Sequence, residues 1–212
     1  MLGLIELHET LDCSDAGVTR CAQIVKGGGV VVFPTDTVYG IGCDPHNDSA
    51  VRRVFAIKGR EEKKPLPVLA GSTSDVEKIV SLGPRGKALA EKFWPGALTI
   101  VAPLRDSKMS AGVTAGRDSL AVRVPANMCV LGVLKVCKYL VGTSANPSGK
   151  SAPKDAQSVL ESLSGFDAIL MDNKPGGRES TVVDVSGPNA KIVRQGAVSE
   201  DAIRKVLKDA RL

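Results

Sequence analysis

The order of the apolar segments limits the fold of this chain most strongly. Residues 30–33 read as a buried strand, whereas residues 14–26 carry apolar side chains at helical spacing. Helices and strands alternate over much of the chain, but strands follow one another directly within residues 97–124 and 168–196. Strict alternation is typical of parallel sheets, and consecutive strands are typical of antiparallel pairing. We therefore predict an α/β fold: a single domain, residues 1–212, with helices packed on a twisted sheet of mixed parallel and antiparallel strands.

Length and composition are those of an ordinary soluble protein. The 212 residues are 43% hydrophobic and 24% charged, and a chain of this length buries about 70% of the surface that it exposes when unfolded. The apolar runs are too short to cross a membrane. The N-terminal segment "MLGLIELHETLD" lacks the basic start of a secretory signal. We therefore expect a cytoplasmic protein that has no membrane partner.

The cysteines and histidines argue against several classes of site. The five cysteines include no C-x-x-C pair, which argues against both a disulfide framework and a zinc knuckle. Cys21, Cys129 and Cys137 lie among apolar neighbours and are expected to pack as small hydrophobic residues. The two histidines, His8 and His46, lack the spacing of metal ligands, which argues against a histidine metal site and a Ser-His-Asp hydrolase. No metal-ligating residue is predicted.

Polar residues stand where apolar strands end. The segment "VVVFPTDTVYG" runs from a buried strand into Pro-Thr-Asp-Thr, and "YLVGTSANPSGKS" ends in a loop rich in hydroxyl groups. Arg123 and Arg194 lie inside the apolar segments "LAVRVP" and "KIVRQG". A buried arginine is costly unless it is paired or faces a polar cleft. Together with a formal net charge of +5, these positions indicate a shared anion-binding cleft, although each arginine alone is compatible with a solvent-facing position.

Two glycine-containing segments do not match the common nucleotide-binding loops. "TSANPSGKS" ends like a P-loop, but Ser144 occupies the position of the first Walker glycine. The "GGG" of residues 27–29 precedes a strand, whereas the glycines of a dinucleotide fingerprint follow one. Hydroxyl groups and turn amides in the first segment are still able to hold an anion.

Six motifs together resemble one known family. In chain order they are "FPTDTVYGIGCD", "IKGR", "PLPVL", "AVRVP", "TSANPSGK" and "STVVDV". In this order and spacing, over nearly the whole chain, they closely resemble the YrdC-like family of threonylcarbamoyl-AMP synthases. Longer family members carry a second domain after a linker, and this sequence is similar to the single-domain form.

The resemblance implies a nucleotidyltransferase, an L-threonylcarbamoyladenylate synthase. L-threonine, bicarbonate and ATP would give threonylcarbamoyl-AMP and pyrophosphate, with Mg²⁺ accompanying the ATP. A downstream threonylcarbamoyl transferase complex would then form N6-threonylcarbamoyladenosine in tRNA. The resemblance also implies a YrdC-like mixed, twisted sheet with a positively charged concavity, and it leaves direct contact with tRNA or other RNA open.

The resemblance also assigns roles to individual residues. The implied threonine site consists of Thr35, Arg123, Thr143, Ser180 and Thr181. The implied ATP site consists of Lys58, Arg60, Lys64, Ser119, Ser144, Asn146 and Arg194. Lys58, Arg60 and Ser144 are the implied catalytic residues. The guanidinium group of Arg123 suits the planar carboxylate of threonine because it offers two parallel donors. Lys64 stands where many relatives carry asparagine, and Leu69 stands where some carry histidine.

Two other functions remain open from the sequence. The first is a non-catalytic RNA-binding module that uses the same cationic concavity. Only 3% of the residues are aromatic, so such a module would recognise phosphates rather than stack on bases. The second is a carbamoyl-phosphate-handling domain of the kind found in hydrogenase-maturation carbamoyltransferases.

Overall fold

The computed structural model describes residues 8–172 and 177–210. Residues 1–7, on which the prediction of no secretory signal partly rests, lie outside these ranges. The helices are α1 (Asp15–Lys26), α2 (Asp48–Lys58), α3 (Thr73–Ile79), α4 (Gly83–Phe93), α5 (Ala111–Thr114), α6 (Met128–Cys137), α7 (Ala156–Ser162) and α8 (Glu200–Asp209). The strands are β1 (Glu9–Asp12), β2 (Val31–Phe33), β3 (Gly40–Gly42), β4 (Val68–Ala70), β5 (Leu98–Pro103), β6 (Ser119–Arg123), β7 (Tyr139–Val141), β8 (Thr143–Ser144), β9 (Ala168–Met171), β10 (Thr181–Asp184) and β11 (Lys191–Arg194).

The strands form two sheets, and each sheet mixes parallel and antiparallel pairs. The first sheet has the order β1-β9-β2-β3-β8, and the second has the order β11-β10-β5-β6-β4-β7. In the first sheet β9 is parallel to β1 and β2, whereas β3 is antiparallel to β2 and β8. In the second sheet β5 is parallel to β10 and antiparallel to β6. The predicted mixed α/β fold is confirmed. The division into two sheets was not predicted; twisted sheets of more than about ten strands tend to split into packed pairs.

Strand β2 shows why its sequence is apolar at every position. The side chains of Val30 and Val32 belong to one hydrophobic core, whereas those of Val31 and Phe33 belong to another. Successive side chains of a strand point to opposite faces, so a strand between two cores needs apolar residues on both. The first sheet is therefore covered on both faces at this strand, and the polar residues come where the strand ends.

Side-chain caps set the starts of several helices, including α1, which begins next to the start of the predicted helical segment 14–26. Ser14 and Ser199 accept hydrogen bonds from backbone N–H groups in the first turns of α1 and α8. Helix α2 ends at Gly59, whose φ of 57° lies in the left-handed region that favours glycine. This turn sends Lys58 and Arg60, one residue on either side of it, into different surroundings.

Helix α6 has no equivalent in the sequence prediction. Asn127 begins it by accepting hydrogen bonds from the N–H groups of Cys129 and Val130. Its sequence "MCVLGVLKVC" is apolar on most sides, so it has little of the periodicity by which amphipathic helices are recognised. It is ten residues long, and none of the described helices is both long and apolar enough to cross a membrane.

A disulfide bond contradicts the prediction for the cysteines. Cys13 and Cys129 are bonded to each other, with 5.4 Å between their Cα atoms and a sequence separation of 116. The prediction that Cys129 packs as a free hydrophobic residue was therefore wrong, whereas Cys21 and Cys137 are free thiols. The packing of α1 against α6 brings the two distant cysteines together, and no local spacing in the sequence reveals this contact.

Candidate functional site

Residues of both sheets line a cavity of about 380 Å³. One wall comes from β2, β3 and β8 of the first sheet, and the other comes from β4, β5, β6, β10 and β11 of the second. Its charged lining residues are Arg60, Arg117, Arg123, Arg194 and Glu179. Seven serine and threonine side chains also line it: Thr35, Thr37, Thr99, Ser119, Thr143, Ser144 and Ser180. An excess of positive charge in a concave, partly enclosed site favours an anionic ligand.

Arg123 is the most enclosed charge of the cavity, and its side chain is fixed at three points. Nε donates to Gly96 O at 2.8 Å, Nη1 to Thr37 Oγ1 at 2.9 Å, and Nη2 to Asp36 Oδ1 at 2.7 Å. The same Asp36 oxygen accepts the backbone N–H of Ala126 at 2.9 Å. Burial lowers the pKa of Arg123, and the neighbouring Asp36 carboxylate opposes this shift. Since a guanidinium group has five N–H donors, each terminal nitrogen keeps one hydrogen for a ligand.

Thr35 holds the turn that follows β2. Its hydroxyl donates to Val38 O at 2.6 Å and accepts the backbone N–H of Thr37 at 3.1 Å. Threonine hydroxyls commonly form such local bonds in turns. Tyr39 fixes the other end of the segment, since its Oη accepts the backbone N–H of Asp172 at 2.9 Å. The Pro-Thr-Asp-Thr sequence thus forms a braced turn that presents hydroxyl groups to the cavity.

Arg194 and Ser180 form the opposite wall. Nε and Nη2 of Arg194 donate to Ser180 O at 3.2 and 3.0 Å, and Nη1 donates to Glu179 Oε1 at 3.0 Å. The Ser180 hydroxyl lies 2.9 Å from that of Thr99. Glu179 neutralises part of the charge of Arg194, so this arginine offers less free charge than its position suggests.

Arg60 and Arg117 are less constrained. Arg60 Nη2 donates to Pro65 O at 3.1 Å, while its buried Nε has no hydrogen-bond partner within the described residues. Burial lowers the pKa of Arg60. Arg117 is exposed, and its side chain makes no hydrogen bond or ion pair with the described part of the chain. An unpartnered donor and an unpaired guanidinium group at the cavity wall are suited to an anion that arrives from solvent.

Lys58 does not lie on the cavity wall. Its side chain is 2% exposed, and its Nζ donates to the backbone carbonyls of Ser144 and of Asn146, the latter at 2.6 Å. Burial, with a smaller contribution from Arg60, lowers the pKa of Lys58 to about 8. The ammonium group therefore holds the Ser144–Asn146 backbone from behind, with Ser144 on the cavity side.

The structure brings most of the expected site residues together. Those on the cavity wall are Thr35, Arg60, Ser119, Arg123, Thr143, Ser144, Ser180 and Arg194. Four of the expected residues are not on it: Lys58, Lys64, Asn146 and Thr181. Thr181 is fully buried, and its hydroxyl donates to Val198 O at 2.6 Å. Asn146 Nδ2 donates to the carbonyls of Pro147 and Lys150 and so closes its own loop. Lys64 is exposed and pairs with Glu61 at 3.5 Å.

The expected site residues did not include several polar residues of the lining, among them Thr99, Arg117 and Glu179. Thr99 lies in β5, Arg117 lies in the polar loop before β6, and Glu179 directly precedes the expected Ser180. An inward-pointing threonine between apolar residues of β5 was the available signal for Thr99. Nothing in the sequence separates Arg117 from the other cations of its loop, such as Arg105 and Lys108.

The described residues do not offer a protein cage for a divalent cation. Among the residues that the structure describes, Glu179 is the only carboxylate on the cavity wall, and it pairs with Arg194. Elsewhere in the described ranges, Cys13, Cys129 and Asp172 place possible ligand atoms close together, but the two sulfur atoms are bonded to each other. A site of several oxygen ligands, as Mg²⁺ requires, is not formed by these side chains alone.

Comparison with known proteins identifies the family. The sequence model of the Sua5/YciO/YrdC family, which carries the description "Telomere recombination", matches residues 23–196. The chain belongs to the Sua5/YciO/YrdC family. The matched range contains the whole cavity wall described above, from Phe33 to Arg194.

Several relatives within the Sua5/YciO/YrdC family carry one name. The chain is 32% identical over 207 residues to the threonylcarbamoyl-AMP synthase of Bacillus subtilis (strain 168), covering 96% of this chain but 60% of that protein. It is 34% identical over 209 residues to a protein of Mycobacterium tuberculosis (strain ATCC 25618 / H37Rv) to which the same name is provisionally given; that match covers 95% of this chain and 96% of the relative.

The fold of the Sua5/YciO/YrdC family is also seen in solved structures. The crystal structure of Pyrococcus abyssi Sua5 complexed with L-threonine superposes with a TM-score of 0.89 at 31% sequence identity. The match covers 95% of this chain and 61% of that one. The chain thus spans about three fifths of the length of this relative and of the Bacillus protein.

Proposed function

We propose that this chain is an L-threonylcarbamoyladenylate synthase, a nucleotidyltransferase that uses L-threonine, bicarbonate and ATP. The observation that carries the proposal is the cavity wall, where a buried, braced guanidinium group (Arg123) stands among hydroxyl groups and three further arginines. This arrangement suits a small amino acid whose carboxylate lies beside a polyphosphate. The names of the relatives and the threonine complex of the Pyrococcus protein support the same assignment.

The braced end of the cavity is the proposed amino-acid site. The remaining hydrogens of Arg123 would receive the threonine carboxylate, and hydroxyl groups would face its amine and side chain. The residues that we assign to this site are Thr35, Arg123, Thr143 and Ser180. Thr181 would act indirectly, since its hydroxyl fixes the backbone that follows β11.

The cationic part of the cavity is the proposed ATP site. The residues that we assign to it are Arg60, Ser119, Ser144 and Arg194. Lys58 and Asn146 would act through the loop that carries Ser144, because both bond to backbone carbonyls within or next to that loop. Lys64 is exposed and would reach ATP only by leaving Glu61.

The proposed chemistry needs no side-chain nucleophile. The threonine amine attacks bicarbonate to form an N–C bond, with loss of water, and gives a carbamate. A carbamate oxygen then attacks the α-phosphorus of ATP, and the bond to the β-phosphate oxygen breaks, so that pyrophosphate leaves. The residues contribute by holding the threonine carboxylate and the ATP triphosphate so that the carbamate oxygen faces the α-phosphorus. They also place positive charge near the leaving pyrophosphate.

Mg²⁺ enters the proposal only together with ATP. The cavity wall does not provide a cage for it, and Mg²⁺ in nucleotide sites is usually held by substrate phosphates and water. When bound to the triphosphate it would offset negative charge on the leaving pyrophosphate. We propose that the reaction takes place in the cytoplasm, because ATP is its substrate and tRNA is the final acceptor of the product.

Pyrophosphate release from ATP tests the proposal. The wild-type chain is expected to release pyrophosphate only when L-threonine and bicarbonate are both present, and omission of either is expected to abolish the signal. The adduct should be recovered as threonylcarbamoyl-AMP. Pyrophosphate release that ignores threonine would contradict the assignment.

Two further measurements separate the alternatives. A domain that handles carbamoyl phosphate would respond to that compound and not to threonine. An RNA-binding module would retain tRNA without turnover, and its affinity would fall steeply with salt. If the synthase assignment is correct, delivery of the product to a downstream threonylcarbamoyl transferase complex completes the modification of tRNA, and direct contact with tRNA is not required for the first step.

A further inference from the structure

Leu69 is the apolar residue that stands directly beside Arg123. The two are register partners on the parallel strands β4 and β6, and both line the cavity. Neighbouring strands lie about 4.8 Å apart, and directly paired residues project from the same face. A ligand that fills the cavity next to the Arg123 guanidinium group is therefore able to contact the Leu69 side chain.

The Leu69 side chain forms a fixed part of the wall. It is 3% exposed and belongs to the core that contains Phe33 and Leu140. A Cβ atom built on Gly142 would stand 2.4 Å from Leu69 Cγ, a distance that real Cβ atoms do not adopt. Leu69 therefore fills the space that glycine leaves at position 142, and it has little freedom to withdraw from the cavity.

The chemistry of an α-amino acid decides which of its groups faces Leu69. Once the carboxylate is on Arg123, the amine and the side chain remain to be placed. An amine or carbamate buried against leucine would lose its hydrogen bonds, which is costly. The hydroxyl group of Thr143, whose side chain makes no hydrogen bond with the other described residues, offers such a bond on the polar part of the wall. The apolar part of the amino-acid side chain is therefore left to contact Leu69.

We propose that Leu69 is the residue that recognises the β-methyl group of the amino acid and so favours threonine over serine. This inference rests on the proposed function, because it assumes that Arg123 binds the carboxylate of an α-amino acid. A single methyl group in an apolar pocket gives a discrimination of roughly 10- to 200-fold. Valine retains this methyl group, so Leu69 does not exclude it, and valine is expected to compete with threonine for binding.

Binding calorimetry with L-threonine, L-serine and L-valine tests the role of Leu69, with pyrophosphate release as a separate readout. The wild-type chain is expected to bind threonine at least about 10-fold more tightly than serine. Leu69→Ala removes the contact and is expected to reduce this ratio to about threefold or less. Leu69→Met conserves the volume and is expected to keep the ratio.

Leu140→Ala is the matched control. Leu140 is the register partner of Leu69 on β7, is fully buried, and does not line the cavity. Leu140→Ala makes the same chemical change in the same core. We expect it to lower stability without changing the ratio of threonine to serine affinity. Should Leu69→Ala fail to fold, Leu69→Val provides the smaller truncation, for which an intermediate ratio is expected.

The outcomes separate the two proposals. An unchanged ratio in folded Leu69→Ala, or an equal loss in Leu140→Ala, would overturn the role of Leu69 even if the enzyme is active. Absence of pyrophosphate release by a wild-type chain that binds threonine selectively would instead contradict the proposed function alone. A wild-type chain that binds none of the three amino acids would overturn both.

Discussion

The two ends of the cavity solve the problem of binding an anion in different ways. At one end Arg123 is buried and held by Gly96, Thr37 and Asp36 before any ligand arrives. At the other end Arg60 has an unpartnered Nε and Arg117 is exposed and unpaired within the described residues. The first end is organised in advance for one small group, whereas the second keeps donors without a protein partner for the ligand.

The two ends are therefore expected to contribute differently to binding. A fixed, desolvated guanidinium group loses little entropy on binding and discriminates strongly. Exposed cations are screened by salt and give attraction with little selectivity. We therefore expect substitutions at the braced end to affect stability and threonine binding together, and substitutions at the open end to affect ATP alone.

The largest effect is expected from Arg123→Ala. The change removes the carboxylate partner and leaves Asp36 with one bond fewer. Breaking a buried ion pair in this way commonly costs about 3–5 kcal/mol of unfolding free energy, and the KM for threonine is expected to rise at least about 100-fold. Denaturant unfolding and pyrophosphate release at varied threonine measure the two effects. Arg105→Ala, in an exposed loop, serves as control; wild-type values for Arg123→Ala would contradict the braced site.

Loss of the disulfide is expected to weaken the braced end through α6. Cys129 lies in the first turn of this helix, and Ala126, just before the helix, donates to Asp36. A bond that closes a loop of 116 residues typically contributes about 2–5 kcal/mol to stability. Cys13→Ser is therefore expected to lower the unfolding free energy by about that amount and to raise the KM for threonine more than that for ATP. Cys137→Ser removes a free thiol and serves as control. Equal stability of Cys13→Ser and wild type would count against the bond.

At the open end, Arg60→Gln is expected to reduce kcat/KM for ATP by roughly 10- to 100-fold, the equivalent of one or two charge-assisted hydrogen bonds. Arg60 makes one hydrogen bond, from Nη2 to Pro65 O, and its buried Nε has no partner within the described residues, so most of its donors are left for a ligand. Stability should therefore stay near that of wild type, and the KM for threonine should change little. A loss of threonine affinity without any loss of ATP affinity would show that the two ends have been assigned the wrong way round.

The pH dependence of ATP use tests the buried Lys58. Its pKa of about 8 lies below the ordinary value of 10.5, so the unfolded chain binds the proton more tightly. The stability contribution of this group is therefore lowest below about pH 8 and rises between about pH 8 and pH 10.5. Activity is expected to move the other way, falling roughly severalfold above about pH 8 as the ammonium group that holds the Ser144 loop loses its proton.

Lys58→Arg keeps the positive charge at all these pH values, so its activity profile is expected to stay flat across the same range. A wild-type profile that is equally flat up to pH 9.5 would argue against a role for the Lys58 charge.

The smallest effect is expected from Arg117→Gln. Its guanidinium group is exposed, and exposed ion pairs contribute little. We expect the KM for ATP to rise roughly two- to fivefold at low salt, with most of the difference lost at high salt. Arg52→Gln, which removes an exposed charge from α2 outside the cavity, should leave the KM unchanged. If Arg117→Gln weakened the use of ATP more than Arg60→Gln does, the expectation that a partly buried cation contributes more than an exposed one would be wrong.

Much of the site was predictable because short stretches of sequence mark its residues. The hydroxyl groups at the exit of β2 and the arginine inside an apolar strand mark positions where a polar side chain must meet a cleft rather than a core. The structure accordingly places Thr35, Arg123, Ser144 and Arg194 around one cavity. Lys58 differs from them, since the left-handed turn at Gly59 directs it behind the Ser144 loop and leaves Arg60 on the wall.

The sequence alone determined the elements with strong periodicity or clear caps, such as α1 and α8, and the apolar strand β2 that lies between two cores. Four features became visible only in the folded chain. The strands divide into two sheets, and Cys13 is bonded to Cys129. Arg117 lines the cavity, and Leu69 is the register partner of Arg123. These features differ in the sequence distance over which the responsible interactions act. Caps and periodicity act between residues a few positions apart, whereas a disulfide partner or a strand register depends on which distant segments pack together.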